Sequence, residues 1–151
     1  MFCYQCEQAA KGTGCDAFGV CGKDPDTAAL QDLLVHAAQG VSQYAHRARL
    51  LGAVCRDADV FVTEALFTTV TNVNFDPVRL ETLLRRAAEV RDHARHIYEE
   101  ACAQSGHAPE RLAGPAVWEP APDRDGLIRQ GEAVGINKML ETRGADLTGL
   151  E

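Results

Sequence analysis

Asp24-Pro25-Asp26-Thr27-Ala28-Ala29-Leu30-Gln31-Asp32-Leu33-Leu34 opens the stretch that decides the fold, which continues through Val41, Tyr44, Ala45 and Ala48 to Gly52. Asp24 is a helix-capping residue, and Pro25 suits a first helical turn because its missing N–H costs nothing there. Leu30, Leu33, Leu34, Ala37, Val41, Tyr44, Ala45 and Ala48 recur at steps of three and four. That spacing draws one apolar stripe along a long helix. Gly52 is placed to end it. Gly40 sits inside the helix, where glycine costs about 1 kcal/mol against alanine, so a close helix–helix approach is the expected reason for it.

Two further helices follow. One starts near Asp57 or Asp59 and runs to about Asn72, with Phe61, Val62, Ala65, Leu66, Phe67 and Val70 leaving little polar face. It is expected to be the most buried of the three, although the β-branched run from Thr68 to Val73 leaves a strand open. Asp76-Pro77 starts the next, where Glu81 complements the N-terminal dipole. Leu80, Leu83, Leu84, Ala87, Val90, Ala94, Ile97, Tyr98 and Ala101 carry it to Gly106. Its opposite face holds Arg85, Arg86, Glu89, Arg91, Asp92, Arg95 and Glu99 and reads as solvated. Short connections predict antiparallel neighbours. The fold class is therefore all-α: a cysteine-rich cluster-binding loop over 1–26, then an antiparallel three-helix bundle over 27–106. Residues 107–151 form a proline-rich loop and the start of a further helical element, within a larger helical domain. Trp118 is expected to anchor that loop on the bundle. A short helix fits Asp123 to Ala133, weakened by Gly131 and Gly135. The ending Asp146-Leu147-Thr148-Gly149-Leu150-Glu151 resembles the opening turn of another amphipathic helix. The chain is expected to be a fragment of something longer.

Ahead of the first helix lie Cys3, Cys6, Cys15 and Cys21, four of the six cysteines, spaced C-x2-C-x8-C-x5-C. Four thiolates delivered from a compact loop suit an iron–sulfur cluster. Zinc also takes four thiolates, but usually from paired short knuckles, and only one is present here. The spacing favours iron–sulfur and leaves zinc open. Gly12, Gly14, Gly19 and Gly22 allow tight turns that aim N–H groups at sulfur, which tunes a cluster. Lys11 and Lys23 could offset its negative charge. Phe2, Tyr4 and Phe18 could shield it, or serve as ordinary cover for a loop.

The formal net charge is −7, which disfavours a phosphate backbone as partner. No apolar run is long enough to span a membrane. No basic segment precedes an apolar one at the N-terminus, and Cys3 follows Met1 too closely for a removable leader. The cytoplasm is expected, where clustered thiols read as metal ligands before disulfides. Cys55 and Cys102 stand apart and read as small buried hydrophobes. His93 and His96, with Glu89 and Glu100, read as surface charge pairs, since no second Glu-x-x-His helix is present. His36, His46 and His107 carry no ligand pattern. No phosphate loop or catalytic triad appears.

Cys3-Tyr4-Gln5-Cys6-Glu7-Gln8, Lys11-Gly12-Thr13-Gly14-Cys15 and Gly19-Val20-Cys21-Gly22-Lys23 together resemble the start of the hybrid cluster protein (prismane) family of hydroxylamine reductases. Ala29–Leu34, Phe67–Asp76 and Val134-Gly135-Ile136 are similar to that family too, so the likeness covers essentially the whole chain. The resemblance implies that Cys3, Cys6, Cys15 and Cys21 ligate a proximal [4Fe–4S] cluster, of the branch that carries a cubane and not a [2Fe–2S] centre. It implies a helical N-terminal region and, for the complete protein, reduction of hydroxylamine to ammonia or of nitric oxide. It implies a small-molecule nitrogen substrate, a redox donor protein, and a hybrid iron–sulfur–oxygen cluster whose ligands lie in later domains. The piece read here would hold the electron-entry cluster and lack turnover of its own. The alternative is a freestanding iron–sulfur or zinc-binding helical module without catalysis.

Overall fold

The computed structural model describes residues 1–70 and 73–148. Helices account for the regular structure among them, as the apolar periodicity predicts; the one pairing outside helices is an isolated bridge between Cys3 and Cys15. α1 spans Pro25–Leu50, α2 Arg56–Thr69, α3 Pro77–Ser105, α4 Arg124–Val134, α5 Ile136–Arg143 and α6 Ala145–Thr148. Short 3-10 turns lie at Ala10–Gly12 and Gly114–Val117.

Caps set the helix starts. Asp24 accepts from the Thr27 N–H at 2.7 Å, Asp76 from Val78 at 2.9 Å, and Asp123 from Gly126 at 2.7 Å. Each satisfies a donor that the first turn leaves without a partner. α3 ends at Gly106, whose φ of 70° is the left-handed conformation such ends require.

α1 is the shared core element and packs against α2, α3, α4 and the Gly114–Val117 turn. Gln31 donates to the Asn74 carbonyl at 2.8 Å, and Tyr44 meets Tyr98 with ring centroids 6.2 Å apart. α1 and α3 therefore run in the same direction. α2 runs against both, since Arg49 at the end of α1 pairs with Asp59 near the start of α2, and His93 late in α3 faces Asp57. Leu30, Leu33, Leu34, Leu80, Leu83, Leu84, Phe61 and Leu127 are buried in one core. Each large side chain contributes about 1.5–3 kcal/mol relative to exposure.

The expectation that α2 is the most buried helix is overturned. α2 buries Ala58, Phe61, Ala65, Thr68 and Thr69 and packs Val62 at the edge of the core, while Val60, Leu66, Phe67 and the capping Val70 stay exposed. α1 takes the central place because three helices and a turn contact it from different sides. Thr71 and Asn72, where α2 was expected to end, lie outside the described residues, as do Gly149, Leu150 and Glu151.

The solvated face expected on α3 has one exception. Arg91 is 4% exposed because the segment after the Gly114–Val117 turn folds over it. Its guanidinium donates to the Trp118 carbonyl, to Glu119 at 2.7 Å and to Asp92 at 2.7 Å. Trp118 is half-buried against the core, as its expected anchoring role requires. Gly40 does mark a close approach, but of the loop and not of a second helix. A methyl there would lie 2.2 Å from the Pro115 carbonyl oxygen. Gly131 does the same for α4, with 2.0 Å to the Ala29 carbonyl oxygen.

Candidate metal centre

The N-terminal loop closes on itself through its backbone. Cys3 N–H donates to the Cys15 carbonyl at 3.0 Å, and Cys15 N–H returns to the Cys3 carbonyl at 2.8 Å. Positions 3 and 15 are thereby held side by side. Cys6 sits one turn on, its carbonyl accepting from Ala9 at 3.2 Å ahead of the Ala10–Gly12 turn. Cys21 lies in a tight return in which Gly22 donates to Gly19 and Gly19 donates to Lys23, both at 2.8 Å. Gly22 has φ 93°, which admits glycine and few other residues. A side chain at Gly19 would press within 3.1 Å of the Cys21 sulfur.

All six cysteines carry free thiols. Cys15 is buried, and Cys3, Cys6 and Cys21 are partly exposed. Backbone N–H groups of Ala10, at 3.4 Å, and then of Val20 point at the Cys15 sulfur and hold its thiol below the usual range. Lys23 adds to that lowering, while burial and Asp16 oppose it. N–H donors aimed at sulfur favour the thiolate, the form that binds metal. Among the described residues no three His, Cys, Asp or Glu side chains converge closely enough to hold one metal ion. A four-iron cube spreads its thiolates over separate corners and demands less convergence than a single zinc ion.

The two lysines differ. Lys11 is exposed, at φ 59°. Lys23 is 2% exposed and reaches under the loop to Gln5 Oε1 at 3.2 Å and to 4.0 Å from Cys3 Sγ. Of the aromatic residues, Phe2 stacks near Tyr4 at 5.7 Å and fills the space that a side chain at Gly14 would need. Tyr4 and Phe18 are more than half exposed.

Sequence reasoning missed a cavity of about 190 Å³ beside the loop, lined in part by Cys3, Lys23, Gln31, Asp32 and Ile136. Gln31 Oε1 is buried with no hydrogen-bond partner among the described residues. Burial raises the Asp32 carboxyl to about 6, against the lowering effects of Lys23, the N-terminal ammonium and the Ile136 N–H. Adjacent polar residues inside the apolar stripe of α1 were the available signal.

The Prismane/CO dehydrogenase family model matches residues 1–151. The chain belongs to that family. Among its relatives, the hydroxylamine reductase of Rhodospirillum rubrum is 56% identical over 151 residues, which is 100% of this chain and 28% of the relative. That of Geobacter sulfurreducens is 52% identical over 139 residues, 91% of this chain and 25% of the relative. That of Methanocella arvoryzae is 49% identical over 151 residues, 100% of this chain and 27% of the relative. The chain thus spans about a quarter of the length of these relatives, matching their N-terminal region.

In this Prismane/CO dehydrogenase family chain the remaining candidates have ordinary settings. Cys55 and Cys102 are buried at 2% and 1% exposure within the core. His93 pairs with Asp57 at 3.4 Å and His96 with Glu100 at 3.3 Å, all on the surface. Among the described residues no helix is long and apolar enough to cross a membrane.

Proposed function

We propose that Cys3, Cys6, Cys15 and Cys21 hold a [4Fe–4S] cluster that passes electrons into a larger hydroxylamine reductase. The complete protein would reduce hydroxylamine to ammonia, or nitric oxide, at a hybrid iron–sulfur–oxygen cluster held by later domains. The relatives' shared name and the match along the whole chain support the activity. The cluster, when bound, supplies one-electron transfer. The protein's part is to hold the thiolates, aim donors at sulfur and limit access of water.

The observation that carries this reading is the Cys15 sulfur, buried and facing the N–H groups of Ala10 and Val20 in a loop closed by the Cys3–Cys15 bridge. Such a setting prepares a thiolate rather than a spare thiol. A redox protein is the expected donor of electrons, and the cytoplasm the expected compartment, where free thiols persist.

Anaerobic reconstitution with ferrous iron and sulfide tests the cluster. The expected product is brown, with four irons and four sulfides per chain and broad visible absorption. Uptake of one zinc ion with no iron would support the non-catalytic module instead.

A further inference from the structure

We infer that Lys23 is the built-in counter-ion of the metal centre, and that its buried ammonium raises the centre's reduction potential. The inference rests on the cluster reading above.

Lys23 follows Cys21 by two residues, yet its side chain turns inward and is 2% exposed. The Nζ lies 5.7 Å from the centroid of the Phe75 ring, 3.2 Å from Gln5 Oε1 and 4.0 Å from Cys3 Sγ. Gln5 itself stands between Cys3 and Cys6. Among the described residues no carboxylate comes within 4.0 Å of this ammonium: Lys23 forms no ion pair, while Lys138 and seven arginines do find acids on the surface. Asp32 shares the cavity and feels Lys23 across it, but it stays beyond that range and its own burial disfavours the carboxylate.

Lysines are almost never fully buried unless paired. Removing the ammonium from water carries a desolvation penalty, and an amide oxygen and a ring face offset only part of that. The missing partner is a concentrated negative charge on the Cys3 side of the loop. Four thiolates around an iron–sulfur core supply one. The oxidised centre with its thiolates is already anionic, and uptake of one electron adds a further negative charge without a proton. A fixed cation therefore stabilises the reduced form more than the oxidised one, and the low dielectric of the site strengthens the effect. Lys11 is exposed and screened by solvent, so it lacks this leverage.

The experiment compares wild type, Lys23→Met, Lys23→Arg and Lys11→Gln, each reconstituted anaerobically and assayed for iron, sulfide and visible absorption. Reduction with dithionite is then followed in a spectroelectrochemical cell. Lys23→Met is expected to lower the reduced-to-oxidised ratio at fixed solution potential about tenfold or more, ~59 mV for one electron. Lys23→Arg retains most of the wild-type value and Lys11→Gln all of it. Metal-free Lys23→Met is expected to resist urea at least as well as metal-free wild type, because an uncompensated buried charge has been removed. A Lys23→Met protein with a full cluster and a ratio within twofold of wild type overturns the inference alone. So does a Lys23→Met protein that is markedly less stable than wild type when metal-free and, once reconstituted, keeps the wild-type potential, the mark of a mere strut. Loss of the cluster from Lys23→Met but not Lys23→Arg supports the need for charge, and loss from both overturns it. Wild type that binds no iron removes the cluster reading first, and this inference with it.

Discussion

Gly131→Ala should destabilise the chain, although alanine is the better helix former. In an open helix the change gains about 1 kcal/mol. Here the added methyl would sit 2.0 Å from the Ala29 carbonyl oxygen and 2.6 Å from its carbon, whereas ordinary contact begins near 3.4 Å. α4 must therefore retreat from α1 by roughly 1.4 Å, and backbone rather than a flexible side chain is what resists. Leu127, fully buried on α4, is the side chain that such a retreat exposes. Overpacking costs about 1–3 kcal/mol, and a clash with backbone that cannot swing aside falls in the upper part of that range, about 2–3 kcal/mol. The net expectation is a loss of about 1–2 kcal/mol after the propensity gain, or ~2–8 °C in melting temperature for a chain of this size. Gly40→Ala should act likewise through the Pro115 carbonyl at 2.2 Å. Residues 29 and 40 lie about 16 Å apart along α1, so the two losses should add. Urea and thermal denaturation of the single and double variants read this directly. A neutral or stabilising Gly131→Ala would refute the seating of α4 on α1.

Other expectations concern charge and sulfur. Burial raises Asp32 to about 6, so its ionisation opposes folding: the favourable contribution is complete below about pH 4 and lost as pH rises through 6. Metal-free wild type should thus lose on the order of 3 kcal/mol across that window relative to Asp32→Asn, seen as converging denaturation midpoints at low pH. Arg91→Ala removes a buried guanidinium, leaves the Trp118 carbonyl, Asp92 and Glu119 without their donor, and should cost about 2–3 kcal/mol in urea denaturation, whereas the exposed Arg95→Ala should change stability far less. Cys55→Ser and Cys102→Ser should keep wild-type iron content while lowering stability by about 1–3 kcal/mol, since each places a hydroxyl in the core. Iron analysis and denaturation separate those two effects.

Much of the scaffold was legible because strong local signals coincide with it. Asp24-Pro25 and Asp76-Pro77 start α1 and α3 where caps and proline say they should, and Gly106 ends α3. The Asp123 cap likewise starts α4. Burial was less legible. The composition of α2 hid the fact that Val60 and Phe67 share an exposed face, and helical spacing on α3 could not show that a distant loop covers Arg91. α5 is not legible as a separate helix because Gly135 reads only as weakening the helix before it, whereas its geometry lets Asp32 meet the Ile136 N–H. At the site, the cysteine spacing was plain. The inward turn of Lys23 and the cavity beside Asp32 depend on packing between the loop, α1 and the segment before α3, which no local pattern encodes.

The most direct test is iron and acid-labile sulfide analysis of the anaerobically reconstituted chain beside its four single variants, Cys3→Ser, Cys6→Ser, Cys15→Ser and Cys21→Ser. The account predicts four irons and four sulfides in the wild type, with a one-electron reduced state visible by electron paramagnetic resonance, and loss or instability of the centre in every variant. A wild type that binds no iron, or variants that all retain the full complement, would contradict it.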